Sequence, residues 1–154
     1  MRILIDADGC PVVNLAIEIA KRREIPCFIL CDTSHFFERS GATTITVSKG
    51  PDSVDFVIVN MVKPCDIVVT QDYALAAMCL ARKAIPINQN GMIYTDENIL
   101  GLLEQRHMSQ KIRRSGGRHG GQSKRIEAQN TAFCLALNKL LDDRKEQAEY
   151  GFYG

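Results

Sequence analysis

A chain of 154 residues, 45% hydrophobic and 24% charged, has the length of one compact domain, which buries roughly 70% of the surface its unfolded chain exposes. No apolar run approaches the ~18 residues of a membrane span, and the start MRILID enters a strand-like run carrying an acid at position 6, so a soluble, cytoplasmic protein is expected rather than a membrane or secreted one. The net charge of +1 conceals a division: residues 1–105 hold 9 Lys/Arg against 13 Asp/Glu, residues 106–125 hold 7 against none, and residues 126–154 hold 3 against 5.

In chain order, RILID (2–6) reads as a first strand and residues 12–23 as a helix, with apolar side chains at 12, 15, 16, 19 and 20 on one stripe. PCFILC (26–31) and TTITV (43–47) follow as strands. Residues 53–63 form a second helix, with apolar positions 54, 57, 58, 61 and 62. DIVVT (66–70) is a strand, and YALAAMCLARK (73–83) is a helix apolar nearly all round, as burial against a sheet demands. IPIN (85–88) is the next strand. A turn is expected at Asn90-Gly91, a short strand at 92–95, and a helix from about 96 capped by Thr95 or Asp96. A basic, glycine-rich loop is expected over about 106–125, with SGGRHGGQ (115–122) its most glycine-dense part. A last helix is expected over about 124–147, with its apolar stripe at 133, 137, 140 and 141.

Short aliphatic strands joined by crossover helices give an α/β class: three layers, a mostly parallel central sheet and helices on both faces. The six cysteines show no C-x-x-C spacing and no ligand-like pairing with the three histidines. They are expected as small core residues in a reducing compartment.

In such a sheet, ligands bind outside the carboxyl ends of the strands. Asp6 and Asp8 follow the first strand directly, Asp55 falls in the first turn of the helix after TTITV, and Asp72 comes two residues after DIVVT, with Thr70 beside it. Four carboxylates from three strand-to-helix junctions thus reach one edge. Asp66 opens its strand, and at ~3.3 Å per residue it lies on the order of 13 Å away at the other edge, outside the site. Capping and the helix dipole account for Asp72 or Asp55 taken singly. They do not account for two acids around one alanine. Clustered carboxylates repel and raise each other's pKa unless a cation neutralises them, and hard divalent ions such as Mg²⁺ or Mn²⁺ take such oxygen ligands. The chemistry that follows is metal-assisted phosphoryl transfer to water. His35 reads as a loop or packing residue, and His107 and His119 as solvated members of the basic region.

Arg106, Lys111, Arg113, Arg114, Arg118, Lys124 and Arg125 suit a phosphate backbone, whose neutralisation gives sequence-independent, salt-sensitive affinity. No aromatic residue is interleaved among them, so base stacking is not indicated.

The stretches DADGCPV, SVDFVIVN, PCDIVVTQDYALA and GMIYTDENI, with the Arg/Gly segment before a Phe-containing last helix, resemble the YaiI/YqxD family, also called UPF0178 or DUF188, over nearly the whole chain. That family is similar to the PIN-like fold of metal-dependent nucleases. The resemblance implies Asp6, Asp55 and Asp72 as the site acids, Thr70 as the hydroxyl preceding the last of them, and Asp8 as an additional acid. The chain departs from the family in having Gly9 where alanine is usual, Gly121-Gln122 where Gly-Pro is common, and Gln129-Asn130 where Asp-Arg is frequent. The expected function is a Mg²⁺- or Mn²⁺-dependent nuclease acting on RNA more readily than DNA. Two alternatives stand beside it. One is a non-catalytic nucleic-acid-binding module. The other is a haloacid-dehalogenase-like phosphatase, suggested by Asp6-Ala7-Asp8, with Asp6 as nucleophile and Asp8 as acid.

Overall fold

The computed structural model describes residues 1–34, 38–114, 116 and 124–151, with 113 and 114 through their backbone alone. The expectations for His35, Arg118, His119 and most of the 115–122 stretch lie outside the described residues, as do the side chains of Arg113 and Arg114. The elements are β1 (Ile3–Asp6), α1 (Val13–Arg22), β2 (Cys27–Asp32), β3 (Thr43–Val47), α2 (Ser53–Met61), β4 (Ile67–Val69), α3 (Tyr73–Ala81), β5 (Ile85–Ile87), α4 (Asp96–Arg114) and α5 (Glu127–Tyr150).

The five strands form one sheet in the order β3-β2-β1-β4-β5, and every pair is parallel. The period of two sorts the side chains between faces. Ile3, Ile5, Ile29 and Val69 pack with α1 and with Phe133, Leu137 and Leu141 of α5. Leu4, Leu30 and Val68 pack with Val54 and Ile58 of α2 and Leu75 and Cys79 of α3. The result is three layers, α1 with α5 on one face and α2 with α3 on the other. Ile99 of α4, and Tyr94 in the segment before that helix, pack against Ala76 of α3.

From β1 the chain builds outward through β2 and β3, then returns to lay β4 on the other side of β1. The strand order therefore reverses between β1 and β4, and a crevice opens at their carboxyl ends. The same polarity brings the N-termini of α2 and α3 to that edge.

Helix α2 stops at Met61, two residues short of the expected end, because Pro64 disfavours helical conformation at the residue before it and cannot continue the ladder. The expected strand at 92–95 is reduced to a single antiparallel bridge, Ile87 to Ile93. The segment is spent on a turn, in which the Asn88 side chain accepts from the N–H groups of Asn90 (2.9 Å) and Met92 (2.8 Å). Thr95 is the cap of α4: its Oγ1 accepts from Asn98 N–H at 3.2 Å and Asn98 Oδ1 accepts from Thr95 N–H at 2.9 Å, a reciprocal box. That helix runs to Arg114, so Arg106, Lys111, Arg113 and Arg114 ride on a helix where a loop from 106 was expected. The run 106–114 holds neither Gly nor Pro to break it. Three cysteines, 27, 31 and 79, are buried as expected, whereas Cys65 is exposed and Cys10 and Cys134 are half-buried; all six are free.

Gly91 shows where backbone chemistry is decisive. Its φ is +87°, and a Cβ there would stand 2.6 Å from the Ala132 carbonyl oxygen of α5. Gly91→Ala should therefore cost about 2–4 kcal/mol, the left-handed penalty plus overpacking, read as a fall in the urea midpoint. A loss below about 0.5 kcal/mol would mean that α5 does not press on this turn.

An acidic edge at the switch point

The register fixes the centre of the site. Ile3, Leu4 and Ile5 pair with Ile67, Val68 and Val69, so the next step sets Asp6 opposite Thr70 across the reversal of strand order. The Thr70 hydroxyl donates to Asp6 Oδ2 at 2.9 Å and accepts from the N–H of Asp72 at 3.0 Å. Thr70 is itself buried, and its carbonyl accepts from the Tyr94 hydroxyl at 3.2 Å. A short relay of hydrogen bonds thus connects the end of β1 with the N-terminus of α3.

Asp72 caps α3, its Oδ1 accepting from the N–H groups of Ala74 (2.9 Å) and Leu75 (3.2 Å). Capping therefore accounts for that oxygen, as the sequence allowed. The same Oδ1 lies 3.5 Å from Arg106 Nη1, and Gln71, Asp72, Tyr73 and Arg106 line a cleft of about 320 Å³. Gln71 Nε2 donates to the Gly9 carbonyl at 2.9 Å. That bond ties the turn after β1 to the turn after β4, and Gly9 takes a φ of +70° that alanine would adopt only with strain.

The electrostatics couple the acids. Burial, then the charges of Asp55, Asp72 and Asp8, push Asp6 up to about 6 even though the Thr70 hydrogen bond pulls the other way. Asp55, in the first turn of α2, is also raised to about 6, by burial and then by Asp72 and Asp52, with Arg106 opposing. Burial first, with Asp6 adding, pushes the neighbouring Cys10 thiol up to about 11, which keeps it protonated at neutral pH and removes it as a nucleophile.

Of the residues singled out in the sequence, Asp6, Asp8, Thr70 and Asp72 meet at the switch point, Asp55 joins them electrostatically, and Arg106 closes over Asp72. Lys111 and His107 are exposed farther along α4, and Lys124 is exposed. Arg125 takes a different role. Its guanidinium donates to Asn130 Oδ1 (2.7 Å), Asn90 Oδ1 (2.8 Å) and the Gln89 carbonyl (2.7 Å), which clamps the 88–91 turn to the start of α5. In the Gln129-Asn130 pair, which departs from the family pattern, Gln129 accepts from the Ile126 N–H at 2.9 Å and Asn130 holds Arg125. Sequence reasoning missed Tyr94, Gln71 and the reach of Arg125 to the 88–91 turn, whose contacts join residues 24 to 62 positions apart, and it missed Asn88, whose contacts two and four residues on are a local Asx signal that could have been read. Asp66 lies at the opposite edge, bonded to Arg2.

Asp6 and Asp55, raised by burial and by neighbouring acids, offer with Asp8 and Asp72 the hard oxygen donors that divalent cations take. Among the described residues no three His, Cys, Asp or Glu side chains already stand together as a set that could hold an ion, so ligation by this group requires side-chain rotation.

No helix among the described residues is long and apolar enough to cross a membrane. No solved structure matches the chain. The DUF188 family model, described as an uncharacterized YaiI/YqxD family, matches residues 4–143. A UPF0178 protein of Exiguobacterium sibiricum is 52% identical over 95% of this chain and 100% of its own length. One from Ruminiclostridium cellulolyticum is 51% identical over 95% of both chains, and one from Natranaerobius thermophilus is 40% identical over 94% of this chain and 99% of its own. With that coverage of the chain, it belongs to the YaiI/YqxD family, the UPF0178 proteins.

Proposed function

We propose that the chain is a Mg²⁺- or Mn²⁺-dependent nuclease that hydrolyses RNA phosphodiesters at the β1/β4 switch point. The observation that carries this reading is the gathering of Asp6 and Asp72 on the Thr70 hydroxyl, with Asp8 after β1 and Asp55 in the first turn of α2, at the crevice where open α/β sheets take their ligands; burial and neighbouring acids push both Asp6 and Asp55 up to about 6. Asp6, Asp8, Asp55 and Asp72 would hold the metal, which when bound polarises a phosphate oxygen and activates water. Thr70 orients Asp6 through its hydroxyl, and Asp72 stays fixed by its cap. Arg106 and Lys111 on α4, with Lys124, offer cationic contacts to the backbone of the substrate. Arg113, Arg114 and Arg118 extend that basic run in the sequence. Contacts of this kind read phosphate, not sequence.

The ion pair from Arg106 to Asp72 favours a second reading, an RNA-binding module in which a cation of the chain itself neutralises the acids. Incubation of labelled single-stranded and structured RNA with Mn²⁺ or with EDTA separates the two. The nuclease cuts only with Mn²⁺, and Asp55→Asn slows it at least about 100-fold, as loss of a metal-associated carboxylate does. Equal cutting by Asp55→Asn would sink the assigned site. Salt-sensitive RNA binding that survives EDTA without turnover would establish the module.

A further inference from the structure

A cavity of about 740 Å³ opens at the amino edge of the sheet, away from the acids, between the C-terminal turn of α1, Ile25 in the α1–β2 connection and the last turns of α5. Ile25, Leu141 and Ala148 give it an apolar floor, and Arg22, Arg144 and Lys145 stand at its rim. Arg23 also lines it but is engaged, with Nη1 on Asp142 Oδ1 at 2.7 Å and Nε on Asn138 Oδ1 at 3.1 Å. No Asp or Glu is among the described residues that line it. The α1 dipole explains Arg22, which lies in that helix's last turn. It does not explain Arg144 and Lys145, which lie before the last turn of α5, a turn without basic residues.

Cations gathered around an apolar hollow without a lining carboxylate are complementary to an anion carried on an apolar body. We propose that this cavity binds a small amphipathic carboxylate, its head between Arg22, Arg144 and Lys145 and its body on Ile25, Leu141 and Ala148. The proposal is independent of the reading of the acidic edge. Cys65 supplies a reporter: it is exposed, lines the same cavity and accepts from Arg144 Nη1 at 3.2 Å.

The test titrates the full chain by calorimetry with decanoate and with decan-1-ol, while alkylation of Cys65 by N-ethylmaleimide is followed by mass spectrometry. Decanoate should bind saturably at one per chain, at least about fivefold more tightly than the alcohol of equal length, because only its carboxylate engages the rim. It should slow alkylation of Cys65. The Arg22→Gln/Lys145→Gln pair, two exposed positions, should cut the preference to below about twofold, with Arg144 left in place, while lowering the melting temperature by no more than a few degrees. Equal binding of acid and alcohol by wild type, a preference undiminished in the double variant, an unprotected Cys65, or displacement of decanoate by an RNA oligonucleotide would each overturn the proposal.

Discussion

Asp6→Asn is expected to make the metal-free protein more stable at pH 7 and, in the same preparation, to slow Mn²⁺-dependent RNA cleavage at least about 100-fold. The two effects have one origin. The folded state holds the Asp6 proton more tightly than the unfolded chain does, with a pKa of about 6 against an ordinary 3.8. Between those values the folded state binds more protons than the unfolded state, so wild-type stability falls as pH rises from about 4 to 6. At pH 7 the whole burden of the buried charge is present. One pKa unit corresponds to about 1.4 kcal/mol, which sets an upper bound of about 3 kcal/mol; relaxation of the site brings the expected gain to about 1–2 kcal/mol. The amide oxygen of Asn still accepts the Thr70 hydroxyl, so the hydrogen bond survives and only the charge is lost.

Urea denaturation at pH 7 and pH 4 in EDTA measures the difference, which should shrink toward zero at the lower pH. Mn²⁺ at about 100 times its Kd should stabilise wild type by about 2.7 kcal/mol and Asp6→Asn by much less, a readout that needs no turnover. A variant no more stable than wild type at pH 7 would show that Asp6 carries no electrostatic burden and would remove the main support for a cation site.

The fold was legible because its signals are local. Short aliphatic runs and 3.6-residue stripes mark the strands and helices, and the polarity of parallel strands places Asp6, Asp8, Asp55 and Asp72 at one edge from the sequence alone. What stayed hidden depends on pairs far apart in sequence. That Thr70 faces Asp6 follows from the β1–β4 register, which no single segment encodes. Arg125 carries the same charge as Lys111, yet it is spent on the 88–91 turn, because α5 happens to start beside that turn. The basic helix reads as a loop for a different, local reason: the neighbouring glycines dominate the composition of 106–125, although none lies within 106–114.

At the other edge of the sheet the same residue type should behave in the opposite way. Asp66→Ala is expected to destabilise the fold by about 3–5 kcal/mol, the range for removing one partner of a buried ion pair, from a total that for such domains is only about 5–15 kcal/mol. Asp66 is 2% exposed. Its Oδ1 accepts from the Arg2 N–H at 3.0 Å, and its Oδ2 accepts from Arg2 Nε at 3.1 Å and from the Lys63 N–H at 2.9 Å. Arg2 in turn donates from Nη2 to the Met61 carbonyl at 2.8 Å and lies over the Phe28 ring, its Cζ 5.8 Å from the centroid. Losing the carboxylate strands a partly buried guanidinium and frees the α2–β4 connection together with the start of β1. Burial works to raise the Asp66 pKa, but the Arg2 and Lys63 hydrogen bonds and the Arg2 charge outweigh it, so the carboxyl is held below its ordinary value. Its stabilisation is therefore present above about pH 4 and is lost as pH falls through the lowered pKa. Urea midpoints at pH 7 and pH 3 should show wild type and Asp66→Ala converging in acid from a large difference at neutrality, with the variant the weaker. Asp6→Asn should converge with wild type from the other side. If Asp66→Ala were as stable as wild type at pH 7, the contrast between an acid that holds the sheet together and one that strains it would disappear.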